Sequence, residues 1–345
     1  MSEFIQLHLL TSYPPANLNR DDLGRPKTAR MGGFDRLRVS SQSLKRTWRV
    51  SELFEEAMGE HIGTRTKRLG VSVYEALIEH GVKENKAKEW AISIAGVFGK
   101  SKKDSLEIEQ LAHVSPSEES NTLALAAKLA QEDRAPEKDE LALLQAENKA
   151  VDIALFGRML ASSPAYNVEA ACQVAHAISV HSVVVEDDYF TAVDDLNDGM
   201  EGAGSAHIGE AGFAAALFYS YICINKSQLV ENLSGDDELA NRAIKALTEA
   251  AVKVSPTGKQ NSFASRAYAS YVLAEKGEQQ PRSLSVAFLK PVTDPQDQGG
   301  AAVAVLKKQN ENFDTVYGPC ASTRYELNAL EGEGSLSELL QFVTS

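Results

Sequence analysis

Cysteine is scarce in this sequence, and long apolar runs are absent from it. Its 345 residues include three cysteines, Cys172, Cys223 and Cys320, and no CxxC pair. This spacing excludes a disulfide framework and a cysteine zinc site, and it is typical of the reducing cytoplasm. The longest strongly apolar run, 213–224, is shorter than the roughly 20 residues that a membrane-spanning helix needs. The first residues lack a basic region and a cleavage site, so we predict a cytoplasmic protein with no signal peptide and no membrane partner.

Positive charge is also scarce, except in one stretch. Residues 20–49 contain nine Lys and Arg against three Asp, a local charge of +6, whereas the whole chain carries −13 and the remainder therefore −19. Such an acidic protein does not bind nucleic acids or anionic membranes indiscriminately. Any polyanion must therefore bind to this restricted basic stretch.

The centre of the basic stretch has the pattern of a strand followed by a helix. Residues 35–40 alternate charged and apolar side chains, as a half-buried strand does. Ser40 and Ser41 offer hydroxyls that cap a helix, whose first N–H groups attract phosphate. One face of that helix presents Gln42, Lys45, Arg46 and Arg49, while Leu44 and Trp48 face the core. The pattern fits a phosphate-binding surface, but it also fits an ordinary solvated amphipathic helix.

The remaining periodicity indicates an α+β fold. Further strands are predicted at 4–12, 168–185, 213–224 and 283–289. Helices are predicted within 71–97, 122–131, 141–155, 236–252, 299–312 and 336–343. Residues 186–209 form a long loop rich in Asp and Gly, which is typical of functional or mobile segments. This order suggests a sheet domain of ferredoxin-like or RNA-recognition type with a helical insertion and a long loop.

No side-chain pattern specifies a metal or a catalytic group. The histidines lack HxxxH or HExxH spacing, and His176 and His181 lie five residues apart in a presumed strand, hence on opposite faces. The acidic pairs at 187–188 and 194–195 either keep the loop solvated or act as metal ligands or a catalytic dyad. Asp35 is either an ion-pair partner of Arg36 or Arg38, or a catalytic carboxylate beside the basic stretch.

Two aromatic residues, Tyr189 and Phe190, stand at the start of the acidic loop. They either stack on bases, which contributes about 1–3 kcal/mol per base, or fix the base of the loop to the body.

Several segments resemble one known family. They are 19–22 (NRDD), 36–46 (RLRVSSQSLKR), 151–159 (VDIALFGRM), 190–195 (FTAVDD) and 204–209 (GSAHIG). In this order they are similar to the CasC family, the backbone subunit of the type I-E CRISPR Cascade surveillance complex. The residues after about 254 are less distinctive.

The resemblance implies a hand-shaped protein. The palm is a modified ferredoxin-like or RNA-recognition-type sheet, the fingers are a helical insertion, and the thumb is a long loop or hairpin. The expected ranges are palm 1–57, fingers 58–165, palm strand 166–185, thumb 186–210 and palm 211–345.

The resemblance also implies a function and its partners. Several copies would stack head to tail along a CRISPR RNA, together with other Cascade subunits, and present it to target DNA by base pairing. The subunit itself would be neither an enzyme nor dependent on a cofactor or metal. The residues expected to bind the RNA backbone are Asn19, Arg20, Lys27, Arg38, Ser40, Ser41, Gln42, Lys45, Arg46 and Arg49. Those expected to press against bases are Met159, Tyr166, Tyr189, Phe190 and Thr191.

Two other functions stay open at the level of sequence. A related type III backbone carries a catalytic aspartate near the position of Asp35, so a metal-dependent ribonuclease using Asp35 or the thumb carboxylates is an alternative. A general RNA-binding regulator, which would not stack along a guide, is the other.

Overall fold

The computed structural model describes residues 2–145, 149–192 and 207–345. Its strands are β1 Phe4–Ala16, β2 Thr28–Met31, β3 Phe34–Val39, β4 Thr64–Thr66, β5 Ala112–Val114, β6 Cys172–Val174, β7 Ala177–Ser179, β8 Glu186–Ala192, β9 His207–Asn225, β10 Tyr271–Gly277 and β11 Thr323–Asn328. Its α-helices are α1 Ser41–Arg49, α2 Glu52–Met58, α3 Leu69–Glu79, α4 Glu84–Ala95, α5 Pro116–Glu132, α6 Val151–Phe156, α7 Lys226–Asn232, α8 Asp237–Lys253, α9 Gln260–Phe263, α10 Gln298–Tyr317 and α11 Leu336–Thr344.

A large antiparallel sheet is built around two long neighbouring strands. The path through the sheet is β11-β10-β1-β9-β7-β3-β2, and β6 and β8 also pair with β9. β1 pairs with β9 from Phe4, opposite Asn225, to Ala16, opposite Ala214, with an irregularity after Tyr13. Both strands are rich in β-branched, aromatic and other apolar residues, which favour a buried central position. The small sheet β4-β5 stands apart from this path.

The large sheet is covered on both faces. One apolar cluster packs α1, α2, α8 and α11 against strand residues such as Ile5, Leu37 and Val39. The other cluster lies under α10 and includes Leu10, Tyr219 and Phe288. Because side chains alternate along a strand, β1 supplies residues to both clusters.

A third apolar cluster is formed by residues from Leu69 to Leu160, on α3, α4, α5 and their connections. A buried ion pair, Arg158 Nη1 to Glu118 Oε2 at 2.7 Å, closes this cluster. Helix α6 lies in the same stretch of sequence, yet its Val151, Ala154 and Leu155 belong to the first cluster, next to α1 and α8.

The α+β class and most predicted elements are confirmed. The predicted strand 4–12 is the first part of β1, 213–224 lies within β9, and 236–252 corresponds to α8, whose cap is Asp236. No helix in the described ranges is long and apolar enough to cross a membrane.

Three predictions of local structure are wrong. Residues 283–289 form a 3-10 turn, Ser285–Phe288, instead of a strand, because Leu284 and Phe288 turn together into the cluster under α10. Two strands of the large sheet, β10 and β11, were not predicted from the sequence. The helix predicted over 141–155 is too long. Among the described residues of this range, which exclude 146–148, only those of α6 are α-helical. His176 and His181 flank the short strand β7 instead of sharing a strand.

Candidate nucleic-acid interface

The start of α1 has the predicted cap. Ser40 adopts an extended conformation, with φ −69° and ψ 145°, and its hydroxyl accepts a hydrogen bond from the Ser43 amide at 3.3 Å. Leu44 and Trp48 are buried, whereas Gln42 and Arg46 are exposed. The alternation of β3 places Leu37 and Val39 in the core and delivers Ser40 to its edge. The sequence therefore sets a helix N-terminus at the protein surface.

The loop after β1 folds back onto this cap. Asn19 accepts the Ser40 amide through Oδ1 at 2.9 Å and the Lys27 amide through its carbonyl at 2.8 Å. The Lys27 carbonyl accepts the Arg38 amide, also at 2.8 Å. Backbone hydrogen bonds and the Asn19 side chain thus bring Arg20, Lys27, Arg38 and Ser40 to one place. The Asn19 side chain is a structural link in this arrangement, because its oxygen is occupied by Ser40.

Five cations near the start of α1 have no carboxylate partner among the described residues. Throughout the part of the chain that the structure describes, no Asp or Glu forms an ion pair with Arg20, Lys27, Arg38, Lys45 or Arg46. Most other lysines and arginines of the molecule do bind a carboxylate. Examples are Lys86, Lys128, Arg134, Lys149, Lys253 and Arg324. A cluster of uncompensated cations in an acidic protein attracts a polyanion.

Arg36 does not belong to this surface. Its side chain is fully buried, and its guanidinium donates to the carbonyls of Ser179 at 3.0 Å and Phe288 at 2.9 Å. The expectation that Arg36 pairs with Asp35 is therefore wrong. Burial also lowers the pKa of Arg36. Although Arg36 and Arg38 share a face of β3, the turn before α10 covers only the first.

Arg49 also departs from the predicted stripe. Its Nη1 lies 3.1 Å from Oδ2 of Asp152, and its side chain is 13% exposed. Asp152 is itself buried and accepts hydrogen bonds from the Gly63 amide at 2.9 Å and from His113 Nε2 at 2.7 Å. Arg49 thus links α1 to α6, and a phosphate would have to compete with Asp152 for it.

The Lys45 side chain is half-buried on α1. Its ammonium lies 5.8 Å from the centroid of the Phe156 ring on α6, a cation–π distance. This contact directs the Lys45 side chain without neutralising it. Arg46 is in the last turn of α1, where a cation also stabilises the helix dipole, so part of its role is structural.

The predicted thumb begins as a β-hairpin. β8 pairs with the start of β9, so that Tyr189 is opposite Glu210, Phe190 opposite Gly209 and Thr191 opposite Ile208. Tyr189 is 65% exposed and Phe190 43%. Asp187 binds Arg25 at 2.7 Å, which joins the hairpin to the loop after β1. Residues 193–206, including Asp194, Asp195 and the first half of the 204–209 segment, lie outside the described residues.

Phe190 packs on the backbone of its cross-strand neighbour. A Cβ placed on Gly209 would lie 2.3 Å from Cζ of Phe190 and 2.8 Å from its two Cε atoms. The ring therefore covers Gly209 and helps to hold the hairpin together, a contribution of about 0.2–1 kcal/mol for a cross-strand pair. The Phe190 side chain is nevertheless 43% exposed, so part of it is accessible to a base.

The substitution Gly209→Ala is expected to displace the Phe190 ring. We expect RNA affinity to fall without a change in its salt dependence, because an apolar group moves and every charge stays in place. Titration of single-stranded RNA at several salt concentrations measures this. Glu210→Ala, on the neighbouring position, is the matched control for hairpin damage. Full affinity in Gly209→Ala would show that Phe190 serves the hairpin alone.

Met159 and Tyr166 lie on the connection that follows α6. Met159 is 82% exposed and borders a pocket lined by Phe98, Leu111 and Leu160. Tyr166 packs against the third apolar cluster, and its carbonyl accepts two hydrogen bonds from Arg158. An exposed methionine suits contact with a base, whereas Tyr166 is partly committed to the fold.

Sequence analysis did not identify His176 as part of this surface. Its Nδ1 accepts the Ser41 amide at 3.0 Å and lies 3.5 Å from Nη1 of Arg38. The two partners Ser41 and His176 are 135 residues apart, so no local pattern announces the contact.

Comparison with solved structures defines the class of this fold. The chain superimposes with a TM-score of 0.85 on a chain of a CRISPR RNA-guided surveillance complex in a pre-nicking state, at 28% identity and over 99% of each chain. A second chain, from a CRISPR RNA-guided surveillance complex, matches with a TM-score of 0.74 and 24% identity, also over 99% of each chain, and shows the fold. The protein therefore has the fold of a surveillance-complex backbone subunit.

The family follows from the sequence as a whole. The model of the CT1975-like protein family matches residues 5–339, and the chain belongs to that family. The resemblance to Cascade backbone subunits noted in the sequence is thereby confirmed. Among curated proteins, none matches this chain.

Proposed function

We propose that the protein is a non-catalytic backbone subunit that binds CRISPR RNA in a type I-E Cascade-like surveillance complex. Several copies stack along the guide and present it for pairing with target DNA, in contact with other subunits. The observation that carries this proposal is the group of uncompensated cations, Arg20, Lys27, Arg38, Lys45 and Arg46, around the start of α1. Such cations recognise phosphate and sugar, not base sequence, as a scaffold for any guide requires.

We also propose the division into palm, fingers and thumb. The separate apolar cluster between Leu69 and Leu160 supports fingers at 58–165, and the β8-β9 hairpin supports a thumb at 186–210. Helix α6 is the exception, because it packs with the palm although it lies in the fingers range. Its position explains how the palm helix α1 reaches Asp152.

The double variant Lys27→Ala and Lys45→Ala tests the function. We expect weaker binding of single-stranded RNA of any sequence, and a salt dependence shallower by roughly 0.7 log unit for each phosphate that the variant no longer neutralises. The measurement is the dissociation constant of two unrelated RNAs over a range of salt concentrations. Lys245→Ala is the matched control, since Lys245 is an exposed cation on α8.

The outcome that contradicts the proposal is an unchanged salt slope in the double variant. Arg49→Ala tests whether Arg49 contacts the RNA. A salt slope like that of the wild type would mean that Arg49 stays bound to Asp152 when RNA binds. A preference for one RNA sequence would favour a general regulator over a guide scaffold.

The ribonuclease alternative has its own test. Asp35 is exposed on β3, and no group of three or more His, Cys, Asp or Glu within the described ranges is close enough to share a metal ion. Incubation of the assembled ribonucleoprotein with complementary RNA and Mg²⁺ distinguishes the two functions. We expect intact RNA, whereas regular cleavage that disappears in Asp35→Ala would replace the scaffold proposal.

A further inference from the structure

His176 lies where the basic surface meets the start of α1. It occupies the turn between β6 and β7 and is exposed. Its Nδ1 accepts the Ser41 amide at 3.0 Å, and Nη1 of Arg38 lies 3.5 Å from the same nitrogen. Ser41 is the first residue of α1, so the imidazole fills one of the hydrogen-bonding positions that a helix N-terminus leaves open.

These two contacts determine which ring nitrogen carries the proton. A backbone amide and a guanidinium are donors only, so Nδ1 must present its lone pair to them. The ring proton of the neutral imidazole is therefore on Nε2. Within the described residues, no protein group hydrogen-bonds to Nε2 of this exposed side chain.

The surroundings also keep the imidazole neutral. Partial burial, followed by the positive charges of Arg38 and Lys27, lowers the pKa of His176 below its ordinary 6.5. No carboxylate pairs with this ring in the described part of the chain, so nothing offsets the two cations. At neutral pH the Nε2–H group is thus an uncharged donor near two charged side chains.

We propose that His176 is a further RNA-binding residue, which donates Nε2–H to a phosphodiester oxygen held by Lys27 and Arg38. This inference rests on the proposed function and adds a residue with a different chemistry to the same site. The two cations attract the backbone, and the imidazole, fixed by its contact with Ser41, orients one phosphate relative to α1. A neutral donor at this point contributes direction without adding to the salt dependence.

The decisive experiment compares His176→Ala with Lys27→Ala in the full chain. The probe is a single-stranded RNA of fixed length and mixed sequence, titrated at several salt concentrations. For His176→Ala we expect a roughly 10- to 100-fold higher dissociation constant, the effect of removing a hydrogen bond from a neutral donor to a charged acceptor. Its salt slope should equal that of the wild type, whereas Lys27→Ala should shallow the slope by roughly 0.7.

A conservative variant separates RNA binding from helix capping. His176→Asn keeps an acceptor for the Ser41 amide but places no donor where Nε2 lies. It should therefore keep the thermal stability of the wild type and lose RNA affinity as His176→Ala does. His80→Ala, which removes an exposed histidine at the end of the unrelated helix α3, is the control and should bind RNA normally.

The outcomes are distinct. Wild-type affinity in His176→Asn, with weak binding only in His176→Ala, would mean that His176 caps α1 and does not touch RNA, and would overturn the inference. A shallower slope in His176→Ala would mean that it binds as a cation, which also overturns it. If Lys27→Ala itself has no effect, the proposed function fails first.

Discussion

The substitution Glu275→Ala is expected to lower the free energy of unfolding by about 3 kcal/mol, the cost of leaving buried charges without their partner. The Glu275 side chain is fully buried beneath α10 and receives hydrogen bonds from His8 Nε2 at 3.1 Å, from Arg324 Nε at 2.7 Å and from both terminal nitrogens of Arg282. The expected loss is at the lower end of the range for broken buried pairs, because Arg282 and Arg324 retain 17% and 32% exposure and can be hydrated.

The hydrogen bonds that lead to Glu275 form a chain in which each donor and acceptor can be assigned. The Glu275 carboxylate can only accept, so the proton of the neutral His8 ring is on Nε2 and Nδ1 is an acceptor. The Tyr219 hydroxyl, 2.9 Å from Nδ1, therefore donates to it, and its oxygen also accepts the Leu284 amide at 2.9 Å. His8 then donates through Nε2 to Glu275. Burial is the main cause that lowers the pKa of His8, so the ring is neutral in this chain of bonds. One carboxylate thus fixes residues of β1, β9, β10 and β11 together.

The effect of Glu275 depends on pH with a definite sign. Burial alone would raise its pKa, but the hydrogen bonds from His8 and Arg282 and the positive charge of Arg282 lower it below the ordinary 4.5. Its contribution is therefore complete above about pH 4.5 and is lost as the pH falls through the lowered pKa of the folded state. Wild type and Glu275→Ala should differ most at neutral pH and converge in acid.

Urea unfolding with a constant m-value measures both effects. Glu311→Ala is the control, since its partner Lys308 is at 3.3 Å and both side chains are about 70% exposed, and it should change stability by no more than about 0.5 kcal/mol. A loss below about 1 kcal/mol in Glu275→Ala would contradict the structural role of the network.

The substitution Asp152→Ala is expected to destabilise the protein by a similar amount, about 3 kcal/mol, and to affect the basic helix. Asp152 is fully buried and binds Arg49 at 3.1 Å, His113 at 2.7 Å and the Gly63 amide at 2.9 Å. Burial opposes its ionisation, but His113, Gly63 and Arg49 together lower its pKa. Its stabilising effect is therefore present at neutral pH and lost in acid.

Removing Asp152 leaves the Gly63 amide and His113 Nε2 without this acceptor, and Arg49 with the Gly63 carbonyl but no carboxylate, at the junction of α1, α6 and β5. Asp152→Asn should cost less, because an amide oxygen still accepts one hydrogen bond. Glu60→Ala is the nearby control, as this carboxylate is 90% exposed. Urea unfolding again measures the effect, and equal stability of Asp152→Ala and Glu60→Ala would refute the prediction.

The same variant reports on Arg49. With Asp152 gone, the Arg49 guanidinium loses its carboxylate partner and keeps the Gly63 carbonyl. The salt dependence of RNA binding by the remaining folded protein then shows whether Arg49 contacts phosphate. A slope steeper than that of the wild type means that Asp152 holds Arg49 away from RNA.

Local patterns predicted much of the site because its parts are close in sequence. Ser40 caps α1, Leu44 and Trp48 are buried, and Gln42 and Arg46 are exposed, all of which follows from the period of one helix. The segments shared with Cascade backbone subunits also predicted the family, which the match over residues 5–339 confirms. A resemblance needs only the order of residues, so it is available before any folding is known.

Long-range contacts account for what those patterns did not predict. β10 and β11 complete the sheet although their residues resemble ordinary polar or mixed segments, because β1 offers an edge to β10 and β10 in turn offers one to β11. Residues 283–289, predicted as a strand, form a turn because a second long-range contact decides their structure. Their apolar side chains fill the space under α10.

By itself, the sequence determined where the basic helix begins, which of its faces is polar, and that positive charge is concentrated in one stretch of an acidic chain. Only the tertiary structure decided which cations remain available: Arg36 is buried on carbonyls and Arg49 on Asp152, whereas Lys27, Arg38 and Lys45 have no carboxylate among the described residues. It also brought His176 to Ser41 across 135 residues. The physical reason is that a helix period is local, whereas the pairing of a charge depends on every segment that folds against it.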